Sequence, residues 1–295
     1  MEFDVSALVP ALDGVPETML WALHNRATEA MRRDGVLTDP ECLRIYRSLA
    51  YDFHGHFGTP TGSLAMRAAA IDRALRTWLD AHPSGFVVSL GEGLETQRGR
   101  VDNGRMRWLS VDLPEAIRLR EQFMPPTDRC RHMEASALDL RWMNAVDPSQ
   151  GVFIVAQGLL MYLEPAGVRT LLLSIAERFP GACLVFDVVP KWFSRMTLRG
   201  LQKTARYRLP PMPWGIDRDE LRATLLGWHP RLSRVAFLDY GSPRGLPRLI
   251  EQTMRLIPAV RHGLPSLVQV TVAQAAATGS GTSMPEGTES TLPRV

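Results

Sequence analysis

The stretch 87-VVSLGEGLETQRGR-100 decides how the chain is read. The run from Phe86 to Leu90 is short, apolar and rich in β-branched residues, and it turns at once through Gly91 and Gly93 into a charged segment. A buried strand that ends in a glycine turn is how an α/β sheet brings backbone to a ligand beyond the carboxyl ends of its strands. The alternative is a tight strand-to-helix turn with no ligand, and Gly-x-Gly alone does not choose between the two.

The same texture continues outward. Short apolar runs recur as RWLSVDL, CRHMEAS, GVFIVAQ, CLVFDVV, RVAFLDY and LVQVTVA, and the segments between them, such as PEAIRLREQF and VRTLLLSIAERF, carry helical spacing. Strands alternating with helices predict a doubly wound, Rossmann-like α/β fold with a mostly parallel sheet. Upstream the chain is helical. Asp13 to Gly35 has Pro16 in its first turn and Met19, Leu20, Leu23, Ala27, Ala30 and Met31 at helical spacing; DPECLRIYRSLA is a second helix and LAMRAAAIDRALRTWLDAH a third. Between the last two, YDFHGHFGTPTGS reads as a connecting loop. The expected organisation is a helical cover at residues 1–60, a core at 61–274 and a Gly-, Ser-, Thr- and Pro-rich tail at 275–295 too polar to order itself.

Composition limits the function. With 45% hydrophobic and 22% charged residues in 295, the chain can bury a full core. Net charge is only +3 and the basic residues are interspersed with acids, so no nucleic-acid stripe stands out. Cys42, Cys130 and Cys183 are too far apart for a metal or disulfide framework and read as reduced thiols. The acidic start MEFDVSALVP does not resemble a signal peptide, and GVFIVAQGLLMYL is too short to span a bilayer, so a cytoplasmic protein without membrane contact is expected.

What ligand would the turn serve? Asp112 closes RWLSVD about 20 residues beyond it, where α/β folds place a carboxylate on a ribose; otherwise it is a solvated strand end or the cap of the next helix. A dinucleotide needs a third glycine and a helix N-terminus for its pyrophosphate, but Thr96 stands at that place and Glu92 and Glu95 would repel phosphate. S-adenosylmethionine carries no phosphate and bears cationic groups, so an acidic turn is compatible with it. Asp139, after the third strand, could accept from an adenine amino group or cap the LRWM segment. Gln157 is a polar side chain closing the apolar fourth strand, pointing to the ligand edge or to a neighbouring loop. Arg67 lies within the apolar stripe of its helix, so it must snorkel or find an anion, either the carboxylate of a methionine moiety or a protein Asp or Glu.

Five blocks, VPETMLWALHNRATEA, VVSLGEGLETQRGR, RWLSVDLPEAIRLR, ASALDLRWM and AQGLLMYLEPAGVRTLL, occur in order between about Val15 and Ala275. Together they resemble the leucine carboxyl methyltransferase family, in its bacterial branch of polyketide O-methyltransferases. The resemblance implies a helical cover, S-adenosylmethionine as methyl donor and a small-molecule acceptor. It matches Arg67 to the arginine at the methionine carboxylate, Gly91 and Gly93 to the cofactor turn, Asp112 to the ribose acid, and Asp139 with Leu140 to the adenine contact. Gln157 stands where the family has a glutamate near the methionine amine, and Tyr162 where a tyrosine faces the acceptor. Two positions depart: the usual turn is closer to Gly-Ala-Gly-Leu-Asp-Thr, so Glu92 is unusual, and Gln157 lacks the family's charge. On that basis Gln157→Glu is expected to strengthen cofactor binding.

A sulfonium cofactor brings its methyl group already activated, so the protein has to align an oxygen nucleophile with it. A carboxylate acceptor is ionised at neutral pH, whereas a phenol benefits from a base. His24, His54 and His56 are the upstream candidates, and none has a partner in the sequence that would mark it. The segment DVVPKWFSRMTLRGLQKTARYRLPPMPWG, with Trp192, Phe193, Lys191, Arg195, Arg199 and Tyr207, suits an aromatic or anionic acceptor or a solvated amphipathic helix. An NAD-linked oxidoreductase and a protein that binds the cofactor without turnover are the competing functions.

Overall fold

The computed structural model describes residues 12, 14–232, 234–239 and 264–274. Strand β1 (Phe86–Leu90) is buried along its whole length, as an uninterrupted apolar run requires of a strand covered on both faces. It pairs in parallel with β2 (Arg107–Asp112) on one side and β4 (Val152–Ala156) on the other. Strand β3 (Cys130–Glu134) continues the parallel ladder beyond β2, and β5 (Cys183–Val188) continues it beyond β4. At that edge β7 (Ser266–Thr271) is antiparallel to both β5 and β6 (Arg234–Leu238), giving the order β3-β2-β1-β4-β5-β7-β6. The mostly parallel, doubly wound sheet read from the sequence is the observed one. The chain runs outward from β1 to β3 and then returns to the other side of β1 as β4, so the crevice of the sheet opens at the carboxyl ends of β1 and β4.

The two-residue period of the strands sorts their side chains into two layers. Val88, Leu90, Leu109, Val111, Ile154 and Phe186 pack with Leu171, Leu172 and Ile175 of α7 (Pro165–Arg178) and Leu221 and Leu225 of α9 (Arg218–Trp228). Val87, Trp108, Phe153, Val155 and Val185 face the other way, onto Ile71, Leu75 and Leu79 of α4 (Ser63–Ala81). Short helices α5 (Gln97–Val101) and α6 (Pro114–Glu121) follow β1 and β2, and α8 (Lys191–Leu198) follows β5.

The cover comprises α1 (Gly14–Ala30), α2 (Pro40–Ser48) and α3 (Phe53–Phe57). The last of these corrects the loop expected over YDFHGHFGTPTGS: the Asp52 side chain accepts from Gly55 N at 2.9 Å, and Phe53 and Phe57, four apart, are both buried. Leu20, Leu23 and Ala27 of α1 share one cluster with Leu94 of the glycine turn and Ala116 and Leu119 of α6, so the cover packs directly on the turn. The tail expected to be disordered, 275–295, and Tyr240 of the expected sixth strand lie outside the described residues. Among the described residues no helix is long and apolar enough to cross a membrane. Cys42, Cys130 and Cys183 are buried free thiols.

Candidate active site

A cavity of about 480 Å³ opens where β1, β2 and β4 end. Gly91 and Gly93 line it with positive φ of 63° and 51°, a region that L side chains rarely adopt. Neither position has room for more: a Cβ on Gly91 would come within 2.8 Å of Leu159, and one on Gly93 within 2.8 Å of the Met19 Cβ on α1.

Asp112, at the end of β2, lines the same cavity and accepts from Gly93 N at 2.7 Å and Leu113 N at 2.8 Å. Burial raises its pKa against the lowering effect of those two N–H groups. Gln157 follows β4 and donates from Nε2 to Glu95 Oε2 at 3.2 Å. Its Oε1 is buried with no hydrogen-bond partner among the described residues, and an orphaned acceptor in a cavity wall marks a place for a ligand donor. Arg67 also lines the cavity, but it has found a protein anion: Nη1 lies 2.5 Å from Asp187 Oδ2 at the end of β5, and Asp187 Oδ1 accepts from Gly158 N at 2.6 Å. Tyr162 sits on a 3-10 turn (Leu160–Tyr162) in the wall, its phenol pKa raised by burial and drawn down by Arg67.

Asp139 and Leu140 are not brought to the cavity. Asp139 caps the 3-10 helix Leu140–Ala145 by accepting from Arg141 N at 3.2 Å, and its carboxylate is paired with the Arg141 guanidinium. The wall at this end is made instead by Ala135, Ser136 and Ala137, just upstream.

The acidic turn also looks different in three dimensions. Glu92 points into the core, paired with Arg120 at 3.0 Å and accepting from Trp108 Nε1 at 3.2 Å and from Ser110 Oγ. Burial is the main influence on it and raises its pKa despite Arg120. Glu95 is buried as well, yet Arg26 and Arg100 outweigh the burial and hold its pKa at about 2. Arg120 thus faces Glu92, and Arg26 with Arg100 faces Glu95, while Arg100 is shared with the buried Asp39 and Asp72; the acids of the turn counted alone do not give the field at a ligand. Arg26, Arg100 and Arg120 were not singled out in the sequence as site residues. Ser110 was visible as a polar residue within an apolar strand, which is the signal that could have found the Glu92 pocket, whereas Arg120 lies in a charged helix that gives no such signal.

The family model for leucine carboxyl methyltransferase matches residues 23–176, about half of the chain and the part that builds the turn, Asp112 and Gln157. The chain belongs to the leucine carboxyl methyltransferase family. Like that family it is an S-adenosylmethionine-dependent O-methyltransferase. A similar protein is the tetracenomycin polyketide synthesis O-methyltransferase TcmP of Streptomyces glaucescens, 29% identical over 259 residues, covering 85% of this chain and 94% of that one. Among solved structures, the N-methyltransferase NodS from Bradyrhizobium japonicum WM9 is 14% identical, with a TM-score of 0.43 over 71% of this chain and 98% of that one. Human N-acetylserotonin methyltransferase is 13% identical, with a TM-score of 0.43 over 87% of this chain and 67% of that one.

The geometry changes what a glutamate at position 157 is expected to do. A carboxylate at 157 would meet Glu95, whose Oε2 already receives the Gln157 amide. Like charges this close raise one of the two pKa values and cost stability. Gln157→Glu is therefore expected to bind S-adenosylhomocysteine no better than the wild type. Its melting temperature should fall further behind the wild type at pH 8 than at pH 5, where the pair can hold a proton. Calorimetric titration and melting curves at the two pH values check both statements.

Proposed function

We propose that the enzyme transfers the methyl group to a carboxylate of a small, largely apolar or aromatic molecule of polyketide type, forming a methyl ester. The observation that carries the carboxylate reading is that, among the described residues, the cavity wall holds no free base. None of the described residues lining it is a histidine, and its carboxylates, Glu92, Glu95, Asp112 and Asp187, each already accept hydrogen bonds from protein groups. His24, the most buried upstream histidine, is committed elsewhere, its ring nitrogens 3.0 Å from Tyr46 Oη and 3.2 Å from Gly58 O. An acceptor that is ionised in its own right needs no base. Trp21, Met161, Phe193 and Met212 supply an apolar wall on the cover side. The polyketide class is supported by the likeness to TcmP, whose name places it in tetracenomycin polyketide synthesis.

The residues present fit S-adenosylmethionine. In this reading Asp112 takes the ribose hydroxyls, the orphaned Gln157 Oε1 takes the amine, and Gly91 and Gly93 give backbone room beside them. Arg67 serves the methionine carboxylate while remaining tied to Asp187. Asp139 and Leu140 would reach the adenine only by leaving their present contacts, so the adenine wall is assigned to Ser136 and Ala137 with Leu113. When bound, the cofactor supplies a methyl group activated by its sulfonium. Tyr162 holds and orients the acceptor, its phenol kept neutral by burial, and the apolar wall excludes water from the nucleophile.

The test is chemical. Aromatic carboxylic acids and phenols are incubated with the enzyme and methyl-labelled cofactor, and the products are treated with mild alkali. Label should be released as volatile methanol, and the chemical step should be nearly flat between about pH 6 and pH 9, because a carboxylate with a pKa near 4 is already ionised there. Label that stays in an alkali-stable ether, with a rate that climbs with pH, would replace the carboxylate by a phenol.

A further inference from the structure

The glycine turn has little backbone structure of its own. Gly91 N remains in the β-ladder, donating to Val111 O at 2.8 Å, and Glu95 N donates to Glu92 O at 3.0 Å. Three consecutive carbonyls beyond Glu92 are held by side chains from outside the turn. Arg120 Nη1, from α6, donates to Gly93 O at 2.8 Å and to Glu95 O at 2.7 Å. Arg26 Nη2, from α1, takes the carbonyl between them, Leu94 O, at 2.8 Å. Its Nη1 donates to the Glu95 carboxylate and to Thr96 Oγ1 at 3.2 Å. Arg26 is 1% exposed. A guanidinium buried to that degree keeps its place only where its fork is matched by acceptors, and two of its nitrogens are so matched here.

The two arginines differ in origin. Arg120 belongs to the core, whereas Arg26 belongs to the cover, and the same helix seats Met19 against Gly93. The turn thus has its full set of partners only while α1 is docked. Gly93 N, which holds the Asp112 carboxylate, is two peptide units before the one that Arg26 grips, and the peptide between them is held by Arg120.

We infer that Arg26 is a positioning residue: through Leu94 O, Glu95 and Thr96 it sets the conformation of the cofactor turn and makes cofactor affinity depend on docking of the cover helix. By mutual linkage, cofactor binding then tightens the cover. The inference rests on the assignment of this cavity to S-adenosylmethionine. Arg26 is not required to touch the cofactor.

The experiment uses the full chain, S-adenosylhomocysteine as the probe, and the variants Arg26→Lys and Arg26→Met. Titration calorimetry gives affinity, melting of the free protein reports folding, and hydrogen exchange follows the amides of α1 with and without the probe. Arg26→Met should bind at least tenfold more weakly, and Arg26→Lys, which keeps the charge but not the fork, should fall between it and the wild type. The probe should slow exchange in α1 of the wild type and should not do so in Arg26→Met. A variant that melts lower but binds within twofold of the wild type and still protects α1 would make Arg26 a purely structural residue and overturn the inference. If Arg26→Met does not fold, Arg26→Lys decides: affinity and α1 protection equal to the wild type overturn it. Failure of the wild type itself to bind the probe would instead overturn the cofactor assignment, and this inference with it.

Discussion

Replacing Asp112 by alanine is expected to weaken binding of S-adenosylhomocysteine by about 1 to 3 kcal/mol, roughly 5- to 150-fold, in a protein that still folds. Two effects act together. The variant removes the acceptor assigned to the ribose, and it releases Gly93 N and Leu113 N, which the carboxylate now holds at 2.7 and 2.8 Å. Asp112→Asn separates them, because an amide oxygen can keep one of the backbone bonds while the negative charge is gone. Its loss should therefore be smaller than that of alanine. Calorimetry on both variants checks the order, and unchanged affinity in a folded Asp112→Ala would remove Asp112 from the cofactor site.

How legible was this site in the chain? The strands were read easily, because β1, β4 and β5 are buried on both faces and so spell continuous apolar runs bounded by turns. Asp112 and the glycines were found for a related reason: strand ends and positive-φ glycines have fixed offsets in an α/β unit. The antiparallel edge was not specified, since β7 inserts between β5 and β6 out of chain order. The short α3 was missed because its glycines and aromatics carry a loop composition, while its stability comes from the Asp52 cap and the burial of two phenylalanines.

Side-chain partners were the least legible part, and the reason is sequence distance. Arg67 was recognised as needing an anion, yet its partner Asp187 is 120 positions away. Gln157 meets Glu95 across 62 positions, and Arg26 meets Glu95 across 69. Asp139 shows the opposite case. Its partner Arg141 is two residues on, and the capping alternative left open in the sequence is the geometry that forms. Charges counted along a turn say which groups are present; the field at a ligand depends on where their counter-charges fold to.

That dependence is largest at Glu92, and it yields the strongest stability effect expected here. Arg120→Met should destabilise the protein by about 3 to 5 kcal/mol, because removing one member of a buried pair leaves the other charge uncompensated. For a chain of this size the melting temperature should drop by roughly 6 to 20 °C. The pH dependence follows from the sign of the shift. Burial already raises the Glu92 pKa above its unfolded value, and loss of Arg120 raises it further. The deficit should be small below the unfolded carboxylate range near pH 4, where Glu92 is protonated in both states, and should grow as pH rises through the folded pKa. Glu92→Gln/Arg120→Met supplies the internal control, since a neutral amide at 92 can still accept from Trp108 and Ser110 without a charge to compensate. The double variant should recover a large part of the loss at pH 8 and little at pH 4. Should both variants melt alike at pH 8, the cost would lie in the released carbonyls of Gly93 and Glu95, which Arg120 also holds. The turn would then depend on Arg120 for its shape more than on the charge pair beneath it.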